Sequence, residues 1–105
     1  MSVKTAKYQV GEIIHHKLFD YRGVIVDADA TFAGTEVWYE TMARSRPPKD
    51  EPWYHVLVHG AEHSTYVAER NLEGDRTGEP ISHPVLDRFF DELRDGIYVR
   101  HRTVH

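Results

Sequence analysis

The chain carries eight histidines, 17 Asp and Glu residues and no cysteine, so any metal or acid–base chemistry must come from imidazoles and carboxylates. His55, His59 and His63 recur at every fourth residue, a spacing that aligns side chains on one face of a helix. They begin, however, in Pro52-Trp53-Tyr54-His55-Val56-Leu57-Val58, the densest β-favouring run of the sequence. Four residues along a strand cover about 13 Å, too far for His55 and His59 to share one ion, and His63 falls in the following turn. His15 and His16 point to opposite faces of a strand and cannot chelate together. There is no nucleophile elbow, no phosphate-binding glycine loop and no His-Glu-x-x-His motif, and a triad of Ser64 with a histidine and an aspartate could be drawn from any sequence of this composition and carries no weight. No catalytic residue, metal site or cofactor is therefore expected, and the protein reads as a non-enzyme. Partly buried imidazoles would still make stability sensitive to pH.

The histidines point back to the strands that hold them. Pro52 cannot donate to a ladder and suits the first position of its strand. Beyond it, Tyr54, Val56 and Val58 face one way, and Trp53, His55, Leu57 and His59 the other. His59–Ser64 supplies turn chemistry before a second strand, Thr65-Tyr66-Val67-Ala68, giving a hairpin with a loop of several residues. Upstream, Lys7–Val10 reads as a short edge strand ended by Gly11, and Glu12–His16 as the next strand. Asp20 suits the polar corner of a turn, and Gly23 inside Arg22–Asp27 indicates a bulge or a close backbone approach. Residues 30–51 form an excursion. Thr35 caps a short helix on which Trp38 and Met42 share a face, and a proline-rich surface loop follows. Leu72 plugs the core. Residues 84–95 are expected as a C-terminal helix, with Pro84 at its start, Gly96 past its end, and an apolar stripe of Val85, Leu86, Phe89, Phe90 and Leu93. That stripe would dock on the barrel or seal a homo-oligomer interface. Ile97-Tyr98-Val99 adds a final strand. The expected architecture is one mainly β domain over residues 1–105, a small SH3-like barrel with one or two short helices. Its core is expected to gather Ile14, Val24, Val26, Tyr54, Val56, Val58 and Tyr66 under Phe89 and Phe90.

Charge narrows the partners. The formal net charge is −4, and it is uneven. Residues 1–49 hold seven Lys and Arg against six Asp and Glu, whereas residues 50–95 hold four against eleven. Polyanion binding relies on clustered cations, so the balance favours a protein partner. No apolar run approaches the ~20 residues of a membrane span, and Met1-Ser2-Val3-Lys4 leads into no signal-type segment; a cytoplasmic location without membrane contact is expected. Two candidate surfaces emerge. Trp38 and Tyr39 with Arg44 and Arg46 combine residue types that anchor protein interfaces, although Trp38 could equally close one end of the barrel. Lys7, His15, His16, Lys17 and Arg22 form the candidate DNA contact, with Lys4, Arg44, Arg46, Lys49, Arg100 and Arg102 in reserve.

The assembled motifs resemble the HspQ family of small bacterial stress proteins, also described as YccV-like or hemimethylated-DNA-binding domains. The resemblance rests on Gly11-x-x-Ile14-x-His16-x-Leu18-x-x-Tyr21-x-Gly23-Val24-Ile25-x-Asp27, on Pro52-Trp53-Tyr54-His55-Val56, on Thr65-Tyr66-Val67-Ala68-x-x-Asn71-Leu72 and on Ile81-x-His83-Pro84. It runs from about Tyr8 to Tyr98. It implies an SH3-like barrel and a non-enzymatic heat-shock protein that promotes degradation of specific or denatured proteins by a Lon-type protease. It also implies a second role, recognition of hemimethylated DNA with control of replication-initiator expression or turnover. The partners it implies are thus the protease or its clients, and DNA. It offers no catalytic residues to carry over, and its motif positions read as structural, with Tyr54 and Tyr66 as a cross-strand core pair.

Overall fold

The alternation along Trp53–Val58 is realised in the strand around which the chain folds. The computed structural model describes residues 5–100. Its strands are β1 (Ile13–His16), β2 (Arg22–Asp29), β3 (Trp53–Val58), β4 (Ser64–Ala68) and β5 (Leu72–Gly74), followed by β6 (Glu92–Arg94) and β7 (Ile97–Val99). Helix α1 spans Glu36–Met42, α2 spans Leu86–Phe89, and a 3-10 turn covers Glu69–Asn71. The first five strands form an antiparallel sheet in the order β4-β3-β2-β1-β5, and β6 and β7 form a separate two-stranded ladder. The fold is mainly β, with two short helices. No ladder joins β4 to β5 among the described residues, so the expected closed barrel is not what the hydrogen bonding shows. No described helix is long and apolar enough to cross a membrane.

The residues of β3 serve two faces. On the inner one, Ile14, Ile25, Tyr54 and Val56 pack with Tyr8, Val67 and Leu72, all buried. On the outer one, Ile13, Val24 and Leu57 pack with Ile81, Phe90 and Tyr98. Fully burying an aliphatic or aromatic side chain contributes about 1.5–3 kcal/mol, so each face is a core in its own right. The expected single core thus divides. Val24 and Val26 belong to the outer face, and Tyr66, opposite His55 in the register, lies on the face away from Tyr54. A bulge explains Val26: Ile25 pairs with Val56 and Asp27 with His55, leaving Val26 as the extra residue, which turns Val26 and Asp27 to the same side. Gly23 is indeed a close approach, since a Cβ there would lie 2.5 Å from Val56 Cγ1 and 2.6 Å from the Leu57 carbonyl oxygen.

Both ends of the described chain depart from expectation. Residues 7–10 form no strand. Tyr8 instead drops into the inner core, its hydroxyl donating to Leu72 O at 3.1 Å while its N–H donates to the Tyr54 hydroxyl at 3.1 Å. The helix expected over 84–95 is confined to Leu86–Phe89, and the chain then forms the β6–β7 hairpin. Asp95 and Gly96 both have positive φ, +51° and +81°, the requirement of the tight two-residue hairpin turn that Asp-Gly favours. Gly96 therefore turns a hairpin and does not end a helix. Phe90 still seals the outer face, with Phe89 beside it half-buried. Tyr98 N–H donates to Gly11 O at 2.8 Å and Glu12 bridges to Ile97. At φ +97°, Gly11 sits where a Cβ would collide with the Tyr98 carbonyl oxygen.

Candidate functional site

Three segments meet along the free edge of β4. The first is the turn between β1 and β2. His16 is buried, and its Nδ1 accepts the N–H groups of Leu18 and Phe19 at 3.1 and 3.0 Å. Burial, helped by the neighbouring His15, lowers its pKa and keeps that nitrogen an acceptor. Asp20 takes a left-handed conformation, φ +54°, and Leu18 and Phe19 are left 56% and 62% exposed. The second segment is α1. The Thr35 hydroxyl caps it by accepting Trp38 N–H at 3.1 Å, and the i, i+4 spacing puts Trp38 and Met42 on one face, Met42 being 59% exposed. The third is β4 itself. Val58 N–H donates to His63 O, and antiparallel pairs alternate between bonded and non-bonded. Val56–Thr65 and Tyr54–Val67 are then the bonded pairs, while Ser64, Tyr66 and Ala68 direct their backbone groups outward.

These segments enclose an open groove of about 420 Å³. Phe19 and Tyr21 wall one side, Trp38 and Met42 the other, with Thr65, Tyr66 and Val67 as floor. Tyr21 and Thr65 hydroxyls are bonded across it at 2.7 Å. It continues past Leu18 towards Ala43 and Arg44, and none of the described residues lining either part is a carboxylate. Trp38 packs edge-on against Trp53 and Tyr66, at 6.0 and 5.6 Å between ring centroids, so it both closes an aromatic cluster and lines the groove. Tyr39 faces the other way. It is buried, donates its hydroxyl to Pro47 O at 2.6 Å and carries the Lys49 ammonium 4.3 Å from its ring. The proline-rich loop is accordingly fastened down: Trp53 Nε1 donates to Pro48 O, Phe32 N–H to Lys49 O and Asn71 Nδ2 to Ser45 Oγ. Arg46 pairs with Glu40 at 2.6 Å, whereas Arg44 stands exposed at the end of the groove.

The candidate DNA residues fall into two separate places. Lys7 and Lys17 border a shallow depression shared with Arg70, Glu51 and Glu69. His15 and Arg22 border another with Glu73 and Asp75. His15 is held between Asp20 at 2.6 Å and Glu73 at 2.7 Å, and its pKa is raised, by Asp20 first and Glu73 second. Arg22 donates through Nε and Nη2 to the two oxygens of Asp75 at 2.8 and 3.2 Å, which holds that carboxyl well below the usual range. His16 is occupied with its own turn. Lys4 and Arg102 lie outside the described residues; Arg100 donates to Phe89 O at 2.6 Å.

The three histidines at four-residue spacing are used separately. His55 Nε2 meets Asp29 at 3.2 Å, His59 Nδ1 accepts Ser82 N–H, and the His63 carbonyl lies 3.0 Å from His83 Nε2. The described residues do bring together Asp27, Asp29 and His55, with ligand atoms within 4.8 Å of one another, because the bulge sets Asp27 opposite His55. Such a set could hold a divalent cation; here Asp29 is also bonded by the Tyr66 hydroxyl at 2.7 Å. Of the candidate protein-contact residues, Trp38 and Arg44 line this groove, and Met42 joins through the shared helix face; Leu18 and Phe19, in the turn before Tyr21, are not among those candidates. The available signal was two large apolar residues in a turn whose geometry asks for neither.

A protein-family model described as hemimethylated DNA-binding protein YccV like matches residues 6–97. The matched span takes in every strand of the five-stranded sheet, both helices and the start of the last hairpin. On that match, the chain belongs to the YccV-like family.

Proposed function

We propose that this protein is a non-enzymatic, cytoplasmic stress-response module that modulates the degradation of specific or denatured proteins by a Lon-type protease, and that the groove beside β4 is its protein-contact surface. The observation that carries this reading is the exposure of Leu18, Phe19 and Met42 around one aromatic-lined groove. Large apolar groups gathered on a soluble surface mark interaction sites, and aromatic and arginine side chains such as Trp38 and Arg44 are frequent interface anchors. Arg46 and Tyr39 support the same surface from behind by holding the loop and helix. The test is degradation of a denatured client by purified Lon-type protease with and without the protein. Phe19→Asp removes a largely exposed ring that stacks on His16 at 4.8 Å. The substitution is expected to cost about 1 kcal/mol in melts, typical of single substitutions, to leave the protein folded at the assay temperature and to abolish the stimulation. Undiminished stimulation would remove the groove from the function.

Recognition of hemimethylated DNA is the second reading, and the family for which the match is named favours it. The charge distribution weighs against a strong form of it, because Arg22 and His15 spend their cationic character on Asp75, Asp20 and Glu73. Binding through the remaining Lys7 and Lys17, with Arg70 beside them partly engaged by Glu51 at 3.7 Å, would be backbone-directed and would weaken steeply as salt rises. A hemimethylated duplex titrated at several salt concentrations against the parent and Lys17→Glu decides it: salt-insensitive binding, or binding untouched by the substitution, would dismiss this surface.

A further inference from the structure

We infer that the groove takes its partner as an added β-strand, paired to the outer edge of β4, and that the occupant is a nearly continuous apolar run of the kind buried in the middle of a sheet. This rests on the proposed protein-binding role of the groove and specifies what enters it. Ser64 and Tyr66 present backbone donors and acceptors along this edge, and Ala68 its N–H, its carbonyl starting the 3-10 turn; no strand of the described residues pairs with them. An unpaired edge is a template for another extended chain. Many proteins blunt such an edge with charge or proline; β4 reads Ser-Thr-Tyr-Val-Ala and carries neither.

The walls define the sequence class of the occupant. Side chains of an added strand alternate between the two faces of the sheet. On the face of Thr65 and Val67 they would meet Phe19 and Tyr21, and on the face of Tyr66 they would meet Trp38 and Met42. Each wall is led by large apolar or aromatic side chains, with His16, His55 and His63 as the polar exceptions, so an amphipathic strand would satisfy one wall and set its polar groups against mainly apolar surface on the other. A segment apolar at consecutive positions satisfies both, and such runs belong to strands covered on both faces in their native fold. They become available when that fold is lost, which is the selectivity a sensor of denatured proteins needs. Charge adds a polarity to the site. The described lining contains no carboxylate, in a chain of net charge −4, while Arg44 stands exposed at the far end. A carboxylate flanking the apolar run is therefore accommodated there and a lysine or arginine is not assisted.

Fluorescence anisotropy with labelled ten-residue peptides tests the inference on the full chain. The reference peptide carries about five consecutive Val, Ile and Leu residues, matching the length of β4, with one flanking Asp. It is expected to bind at least roughly tenfold more tightly than an alternating apolar–polar peptide of equal composition. Backbone N-methylation at alternate residues is the discriminating step. One alternate set, the residues facing β4, should lose binding when methylated, and the complementary set should keep it. If both methylated sets bind like the parent and Phe19→Asp still abolishes binding, strand addition is wrong while the groove remains the contact surface. If Phe19→Asp leaves peptide binding and protease stimulation unchanged, the groove reading and this inference fall together.

Discussion

Replacing Asp75 by Asn tests whether Arg22 is a structural cation. The Asp75 carboxylate accepts Arg22 Nε at 2.8 Å and Nη2 at 3.2 Å, Gly78 N–H at 2.9 Å, and the Thr77 hydroxyl at 3.0 Å. The Arg22 and Asp75 side chains are 16% and 5% exposed. Hydrogen bonds to charged groups contribute about 1.5–3 kcal/mol each, and removing one partner of a buried ion pair costs about 3–5 kcal/mol. Asn keeps the turn acceptor for Gly78 and Thr77, and some solvent still reaches the guanidinium, so a loss of about 2 kcal/mol is expected. For a domain of about one hundred residues that lowers the melting midpoint by roughly 8–16 °C. The pH dependence adds a second handle. The carboxyl is held below its ordinary value, chiefly by Arg22, so its contribution is present above the unfolded-state pKa of about 3.9 and drains away as pH falls towards the folded value. Thermal melts of parent and variant should differ fully at pH 7 and converge as the pH drops below about 4. A loss below about 0.5 kcal/mol at pH 7, or one as large at the acid end, would refute the structural assignment of Arg22 and return it to the candidate DNA contacts.

Two further outcomes follow from other parts of the molecule. Phe90→Ala should cost about 3–5 kcal/mol, as for a buried aromatic, and Phe89→Ala clearly less, since only Phe90 is fully covered; denaturant melts giving the reverse order would displace Phe90 as the seal of the outer face. His15 has a folded-state pKa raised by Asp20 and Glu73, so its contribution is complete below the ordinary value of about 6.5 and is lost as pH rises through the folded pKa. His15→Asn should flatten the decline of stability on that alkaline side, and parallel pH profiles for parent and variant would count against the clamp.

How far the residues themselves disclosed this arrangement depended on whether a local signal had a competitor. The Trp53–Val58 strand, the Thr35 cap and the turn after His59 were legible because proline, threonine and glycine carry strong local preferences, though β4 starts one residue earlier than expected, at Ser64, and Gly23 allowed either a bulge or a close approach. The last helix is shorter than its pattern suggests because Val85, Leu86, Phe89, Phe90 and Leu93 satisfy a helical period, while Asp95-Gly96, which also suits a helix end, is the stronger short-range signal for a hairpin. The division of the core was out of reach from alternation alone, because one extra residue at Val26 reverses which side the rest of β2 presents. The same holds for the candidate sites. Basic residues can be counted in a sequence, but that Asp75, Glu73 and Asp20 come from elsewhere to neutralise Arg22 and His15 is a property of the strand order. The groove was half-visible through Trp38 and Met42, and its other wall required knowing that the β1–β2 turn reaches the edge of β4.

The contact between Gly11 and Tyr98 bears on how the molecule comes into being. The outer core needs Phe90 and Tyr98 over Ile13, Val24 and Leu57, and Tyr98, besides its hairpin partner Leu93 and the Ile81 N–H, is tied by its own N–H to Gly11, far back in the sequence. Contacts that distant in sequence close late, after loop-closure entropy has been met by other interactions. Once β5 has emerged during synthesis, all five strands of the main sheet are present and the inner core can assemble, while the outer face still lacks Ile81, Phe90 and Tyr98 until residue 98 follows. The protein is thus, for an interval in its own production, a chain with an exposed apolar sheet. Its early life resembles that of the partners proposed for it.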